Sequence, residues 1–239
     1  MKLSNISWKL LLAGSLTCQV ACTAEGAESM LLLRNQQPTE GCQISVNPTG
    51  AYQPAGRIDV SSAQGYRFTP LIQNLAQSNM NSMKRIFIEG ANVDIEFLNA
   101  NPPTVGAGLE NSINFRAPFS GSVESNGFTT FDFTIVTREL LADLADDVTP
   151  TNSIQLSANI TIVGELDGDS VESNTFKYPV EVCDGCMRNV LGPCLGLDEG
   201  LAISQGGVCN TNQDGQLDCC TAADGSLTCP AIEIPIIPE

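Results

Sequence analysis

The chain has 239 residues, 27 acidic against 11 basic side chains and no histidine, for a net charge of −16. That balance argues against nucleic acid as a partner, because phosphate backbones select basic patches. Without histidine, the commonest general base and a common metal ligand are missing, and no Ser-centred elbow or phosphate loop appears. No catalytic residue is assigned.

Met1 to Lys9 carries Lys2 and Lys9, and Leu10 to Ala21 is apolar and ends in small residues. This reads as a signal peptide over residues 1–21, too short to span a bilayer as a helix. Val20-Ala21-Cys22 fits the start of a bacterial lipoprotein, whose Cys22 would be acylated, although Gln19 stands where an aliphatic residue is usual. Ordinary cleavage after Ala21 or Ala24, giving a secreted protein, is the alternative. Several acyl chains would hold Cys22 on a membrane, since two already suffice for stable attachment. Thr23 and Ala24 lack the aspartate that retains many lipoproteins at the inner membrane, so outer-membrane placement is expected, facing the periplasm or the exterior. Cleavage before Cys22 removes two of the 11 basic residues and none of the 27 acidic ones, leaving 9 against 27 and a net −18.

Residues 22–41 read as a tether of small and polar residues. The apolar run Met30-Leu31-Leu32-Leu33 is out of place in a free linker, and is expected to pack on the domain, to form a first strand or to meet a partner. Over residues 42–182 the pattern has period two. Ile58 to Val60, Val93 to Phe97, Ile113 to Arg116, Phe131 to Ile135 and Ile154 to Ile162 each alternate apolar with polar residues, as half-buried strands do. Tyr66 to Ile72 is a further candidate, broken by Pro70, and Phe176 to Val182 continues the pattern with Pro179 on its polar face, as at an edge or bulge. Asn126-Gly127 and Asp167-Gly168 suit tight hairpin turns. Arg138 to Asp147 spaces Leu140, Leu141 and Leu144 for at most two helical turns. The expected fold is all-β, an antiparallel immunoglobulin-like β-sandwich followed by a small disulfide-rich C-terminal module.

That module, residues 183–229, has few large apolar side chains and seven cysteines: Cys183, Cys186, Cys194, Cys209, Cys219, Cys220 and Cys229. Disulfides must replace a core there, which requires an oxidising compartment. With Cys42 they make an even eight, whose 105 connectivities stay open. Cys42 is expected to pair near the end of the sandwich, Cys183 or Cys186 being nearest in sequence. Cys183-Asp184-Gly185-Cys186 has redox spacing but lacks a βαβ setting. Zinc is disfavoured, as no second Cys-x-x-Cys follows at ribbon spacing.

Calcium is the one cofactor suggested. Asn210, Asn212, Asp214 and Asp218 alternate like the front of a calcium loop, with Gly215 at the sixth position and Thr221 where the bidentate glutamate would stand. A site of this composition would be weak. A plain Asn/Gly turn between Cys209 and Cys219 is the simpler alternative. The tail, residues 230–239, alternates from Ala231 to Pro238 and suits an extended strand, packed on its own domain or donated to a partner.

Three features together resemble uncharacterised cell-envelope lipoproteins of myxobacteria and related bacteria. They are the lipoprotein-like start, the strand with Phe176, Tyr178-Pro179-Val180 and Val182-Cys183 running to Cys186, and the close Cys209-Asn210, Gln213-Asp214 and Asp218-Cys219-Cys220. The resemblance implies an address and no activity. The expected function is therefore an exported, lipid-anchored envelope protein with a structural or interaction role, its partners being the membrane and an unidentified envelope protein or glycan. A carbohydrate-binding module or carbohydrate-active enzyme is the alternative. It is weakened because Trp8 leaves with the signal peptide.

Overall fold

The computed structural model describes residues 29–78, 84–99, 103, 110–197 and 200–231. The signal peptide, Cys22 and the tail from Ile232 onward lie outside the described residues. Where described, the chain is a β-sandwich continued by a small disulfide-linked sheet.

In chain order the strands are β1 (Met30–Asn35), β2 (Gly56–Asp59), β3 (Tyr66–Phe68), β4 (Pro70–Asn74) and β5 (Ile86–Phe97). After helix α1 (Glu110–Ile113) come β6 (Asn114–Val123), β7 (Phe128–Thr130) and β8 (Phe133–Val136), then helix α2 (Arg138–Leu144). The sandwich closes with β9 (Ile154–Leu166), β10 (Asp169–Glu172) and β11 (Phe176–Cys183), and the module adds β12 (Arg188–Pro193), β13 (Leu217–Thr221) and β14 (Leu227–Thr228). One layer has the order β2-β11-β9-β5-β6, with β10 folded back on β9. The other is built from β1-β4-β7 and β3-β8. Only Thr69 parts β3 from β4 and only Phe131 and Asp132 part β7 from β8, so the two small sheets form one bent layer.

Alternation explains which faces meet. Leu156, Ala158 and Ile160 of β9 and Tyr178, Val180 and Val182 of β11 point inward onto Met30, Leu32, Phe68, Ile72 and Ile135. Each of the leucine, isoleucine and valine side chains among them contributes about 1.5–3 kcal/mol when fully buried. In β5 the alternation slips: Ile86 and Ile88 are buried, then Gly90 and Ala91 in succession, then Val93 and Ile95. The register to both neighbours shifts between Ile88 and Gly90. Gly90 has φ +151°, and a Cβ there would stand 2.6 Å from the Ala117 carbonyl oxygen, so the bulge requires glycine. Helix α2 spans two turns and is capped by Thr137, whose hydroxyl accepts from the Leu140 N–H.

Several expectations need correction. The tether is shorter than residues 22–41, because β1 pairs antiparallel with β4 and buries Met30 and Leu32 while Leu31 and Leu33 face outward. Ile113 belongs to α1, and Phe131 and Asp132 lie between strands, where Phe131 packs on Phe119 at 5.0 Å and Asp132 meets Arg67. The main sheet is not wholly antiparallel: β2 runs parallel to β11, the long connection between them allowing either direction. Pro179 pairs with Ser157 on β9 but precedes the stretch where β2 joins at Val180, so its missing N–H falls at a local edge.

The bridges are Cys42–Cys209, Cys183–Cys186, Cys194–Cys220 and Cys219–Cys229. Cys42 thus does not meet Cys183 or Cys186. Those two close on each other at the end of β11, while the loop bearing Cys209 folds back beside β2. Asp59 N–H donates to the Asn212 carbonyl at 3.1 Å and Asp214 N–H to the Arg57 carbonyl at 2.9 Å, so module and sandwich share backbone pairing. In the chain-entropy view the Cys42–Cys209 bridge, with a sequence separation of 167, is worth about 5 kcal/mol, against about 2 kcal/mol for Cys183–Cys186, with a separation of 3. Denaturant unfolding of the paired Cys→Ser variants is expected to show the larger loss for Cys42 and Cys209. Equal losses would contradict this ranking.

Candidate functional site

The seam between sandwich and module is built from residues that sequence alone scatters. Tyr66 and Tyr178 occupy inward positions on β3 and β11, where an apolar core cannot satisfy a phenol hydroxyl. They satisfy each other at 2.8 Å. The Asn35 amide donates to the Tyr178 hydroxyl at 2.9 Å, and the Tyr66 hydroxyl donates to Asp214 Oδ2 at 2.7 Å. The order of donors is therefore Asn35, Tyr178, Tyr66, with Asp214 as final acceptor. Gly56 lets the Tyr66 ring lie against β2, since a Cβ there would meet the ring at 2.4 Å.

The loop from Gly206 to Gly215 closes over this relay. Gln213 copies a strand's pairing with its side chain: its Oε1 accepts from Arg67 N–H and its Nε2 donates to the Arg67 carbonyl, each at 2.8 Å. Asn210 Nδ2 donates to the Gly65 carbonyl at 2.8 Å. Asp214, at φ +58°, accepts from Arg57 N–H at 2.7 Å through Oδ1.

Burial pushes both phenols up, Tyr66 well above its ordinary value, and the nearby Asp214 charge adds to this. Both therefore stay protonated and serve as donors. Asp214 is exposed as a residue, but its carboxyl is turned against the buried Tyr66 hydroxyl, and the water it loses there raises it above its ordinary value, against the downward pull of that hydroxyl, the Arg57 backbone and the Gln213 amide.

Two openings flank Asp214. A cavity of about 220 Å³ is lined by Gln36, Arg67, Asp132, Val208 and Gln213 among others, and a groove of about 360 Å³ by Arg57, Pro179, Glu181, Cys186 and Met187. Arg67 and Asp132 form a two-pronged pair on the cavity wall, with Nε to Oδ1 at 2.9 Å and a second contact from NH2 to Oδ2. Gln36 is 1% exposed; its Nε2 donates to the Ser45 and Asn47 carbonyls, and its Oε1 has no partner. The cavity thus presents fixed donors and acceptors. Because both Asp214 oxygens already accept hydrogen bonds, its carboxylate holds the loop and the arrangement suits recognition of a polar ligand.

The calcium-loop residues are near in sequence but engaged separately. Asn210 Oδ1 accepts from Asn212 N–H, Asp214 faces Tyr66 and Arg57, and Asp218 on β13 accepts from Asn189 Nδ2 and Ser204 N–H, each at 2.7 Å. The side-chain oxygens of Asn210, Asp214 and Asp218 thus accept from N–H and O–H donors. Among the described residues no group of three or more His, Cys, Asp or Glu side chains is arranged to hold a metal.

Arg67, Asp132 and Gln36 carry no motif, and sequence reading missed them. A phenol on an otherwise apolar strand face, Tyr178, was the available signal of a buried polar partner.

No protein-family model and no curated protein matches the chain. Among solved structures, a crystal structure of a protein from Archaeoglobus fulgidus aligns over 53% of this chain and 90% of its own, at 13% identity and a TM-score of 0.33. The ASH/PapD-like domain 7 of human CEP192 aligns over 62% of this chain and 97% of its own, at 14% identity and a TM-score of 0.20. Likenesses this distant carry no argument; the sandwich rests on the chain's own strand pairing.

The raised carboxyl of Asp214 has a pH signature. Folded Asp214 holds its proton more readily than the unfolded chain does, so its protonation favours folding below 3.8, and that contribution is lost as pH rises through the higher folded value. Asparagine tolerates the left-handed backbone at this position. The melting temperature of Asp214→Asn relative to the parent is expected to rise from about pH 3.5 toward neutrality and then level off. A difference independent of pH would contradict the assignment.

Proposed function

We propose that the chain is an exported, lipid-anchored protein of the cell envelope with a structural or interaction role, held at the outer membrane through Cys22. The observation that carries this reading is the pairing of all eight cysteines among the described residues into four bridges. Such bridges persist in oxidising compartments and are rare in the cytosol. The apolar stretch to Ala21 and the Val20-Ala21-Cys22 sequence support export and anchoring. With its own leader in a Gram-negative host, the parent chain is expected in the membrane fraction with an acyl mass on Cys22. Cys22→Ser should shift it to the soluble fraction. A parent already soluble with an unmodified N-terminus would put secretion in place of anchoring.

Recognition of a glycan is a second reading, favoured by the cavity wall. The Arg67–Asp132 pair, with Gln36, Gln37 and Gln53 around it, offers the planar donors and acceptors that match adjacent hydroxyl groups. Saturation-transfer NMR with a panel of neutral mono- and oligosaccharides tests this. Signals from at least one sugar are expected with the parent and should weaken several-fold in Asp132→Ala. A silent panel, or signals unchanged in that variant, removes the reading.

A further inference from the structure

We infer that the Cys183–Cys186 bridge is an exchange site, where the protein passes its disulfide to a pair of thiols on a peptide that enters the groove beside Cys186, while the other three bridges are structural.

The loop does not depend on its disulfide for its shape. Asp59, at the end of β2, is 0% exposed and accepts from Gly185 N–H at 2.7 Å through Oδ2. Its Oδ1 accepts from Ser61 N–H at 3.0 Å and from the Arg188 guanidinium at 3.3 Å. Val60 N–H donates to the Cys183 carbonyl, Arg188 N–H to the Gly185 carbonyl and Leu217 N–H to the Met187 carbonyl. A buried, multiply bonded carboxylate therefore fixes the turn from both ends. The bridge closes a sequence separation of only 3 and removes little freedom from the unfolded chain. Elsewhere the reverse holds: Cys194 and Cys220 are themselves the centre of the module's small core, and Cys42–Cys209 ties segments 167 residues apart.

The two sulfurs are unequal. Cys183 is 3% exposed, whereas Cys186 is half-buried and lines the groove beside Pro179 and Met187. An incoming thiolate can reach Cys186 from the groove, so the Cys186 sulfur is the one attacked and the Cys183 sulfur leaves. In that step a bond forms between the peptide sulfur and Cys186 Sγ as the bond to Cys183 Sγ breaks. Cys183 takes up the proton given up by the peptide thiol, and its Sγ lies 3.5 Å from the Ile58 carbonyl, which accepts that S–H. The second peptide thiol, itself deprotonated, then attacks the peptide sulfur of the mixed disulfide and releases Cys186, which takes up that proton. The peptide dithiol is oxidised to a disulfide, the protein disulfide is reduced to a dithiol, and no further reactant enters.

The test is a graded reduction of the mature chain, carrying Cys22→Ser for solubility, with acid quenching, alkylation and peptide mapping at each step and near-ultraviolet circular dichroism of the tyrosines in parallel. Cys183 and Cys186 are expected to be alkylated together at reductant concentrations at least tenfold below those that open any other pair, with the tyrosine signal unchanged. A synthetic peptide with two cysteines should be oxidised by up to one equivalent per chain, and the paired variant Cys183→Ser, Cys186→Ser should lose this transfer. Opening of this pair in step with the others, loss of the tyrosine signal as it opens, or no oxidation of the peptide would each overturn the inference. The reduction series uses the unaltered pair, so a variant that fails to fold leaves the result decisive.

Discussion

A phenol carried into an apolar core must find a partner for its hydroxyl, and here two phenols find each other and then a carboxylate from another part of the chain. Tyr178 and Tyr66 come from opposite layers of the sandwich, Asn35 from the end of its first strand and Asp214 from the module. Leaving Asn35 or either phenol, all buried, without its partner would cost about 1–3 kcal/mol. The relay therefore selects one seating of the Gly206–Gly215 loop over others that apolar contact alone would tolerate. The cavity and the groove exist because the loop is seated that way, each with Asp214 on its wall.

The module shows how a segment with little to bury acquires a defined shape. Its own core is the Cys194–Cys220 bridge and Ala231, with Leu191, Leu197 and Ile203 packed against them. Its small sheet pairs β12 with β13 in parallel and β13 with β14 in antiparallel register. Most of the remaining order is borrowed from the sandwich, through the backbone pairing of Ile58 with Gln213 and the grip of Asp59 on the turn before β12. Calling it a separate unit captures the change in composition at Cys183 but not the continuity of hydrogen bonding across that point.

How much was legible depended on whether an element's reason lay within its own few residues. Strands β9 and β11 each have one apolar and one solvent-facing side, and their alternation is readable. The first half of β5 is hidden because the Gly90 bulge reverses the phase, so Ile86 and Ile88 fall out of step with Val93 and Ile95. The partner of Cys42 was out of reach for another reason. Nearness in sequence favours Cys183 or Cys186, whereas the choice is made by a loop that returns to β2 from more than 150 residues away. The spacing from Asn210 to Asp218 was visible, but spacing does not show that Asp214 reaches Tyr66 or that Asp218 reaches Asn189 and Ser204. The walls of the cavity drew on β1, β3 and the β7–β8 link, and no local pattern marks Gln36, Arg67 or Asp132 as neighbours.

The parallel seat of β2 beside β11 bears on how the molecule is made. A chain emerging N-terminus first presents residues 56–59 early, yet their partner, Val180 to Cys183, and the Asn212–Asp214 loop that covers their other side come near the end. Until then one edge strand of the main sheet waits without a neighbour, and pairings this distant form slowly because a long loop must close first. The fold is completed from its last residues back to its first. An interrupted chain would expose an open strand edge, and an open edge invites aggregation.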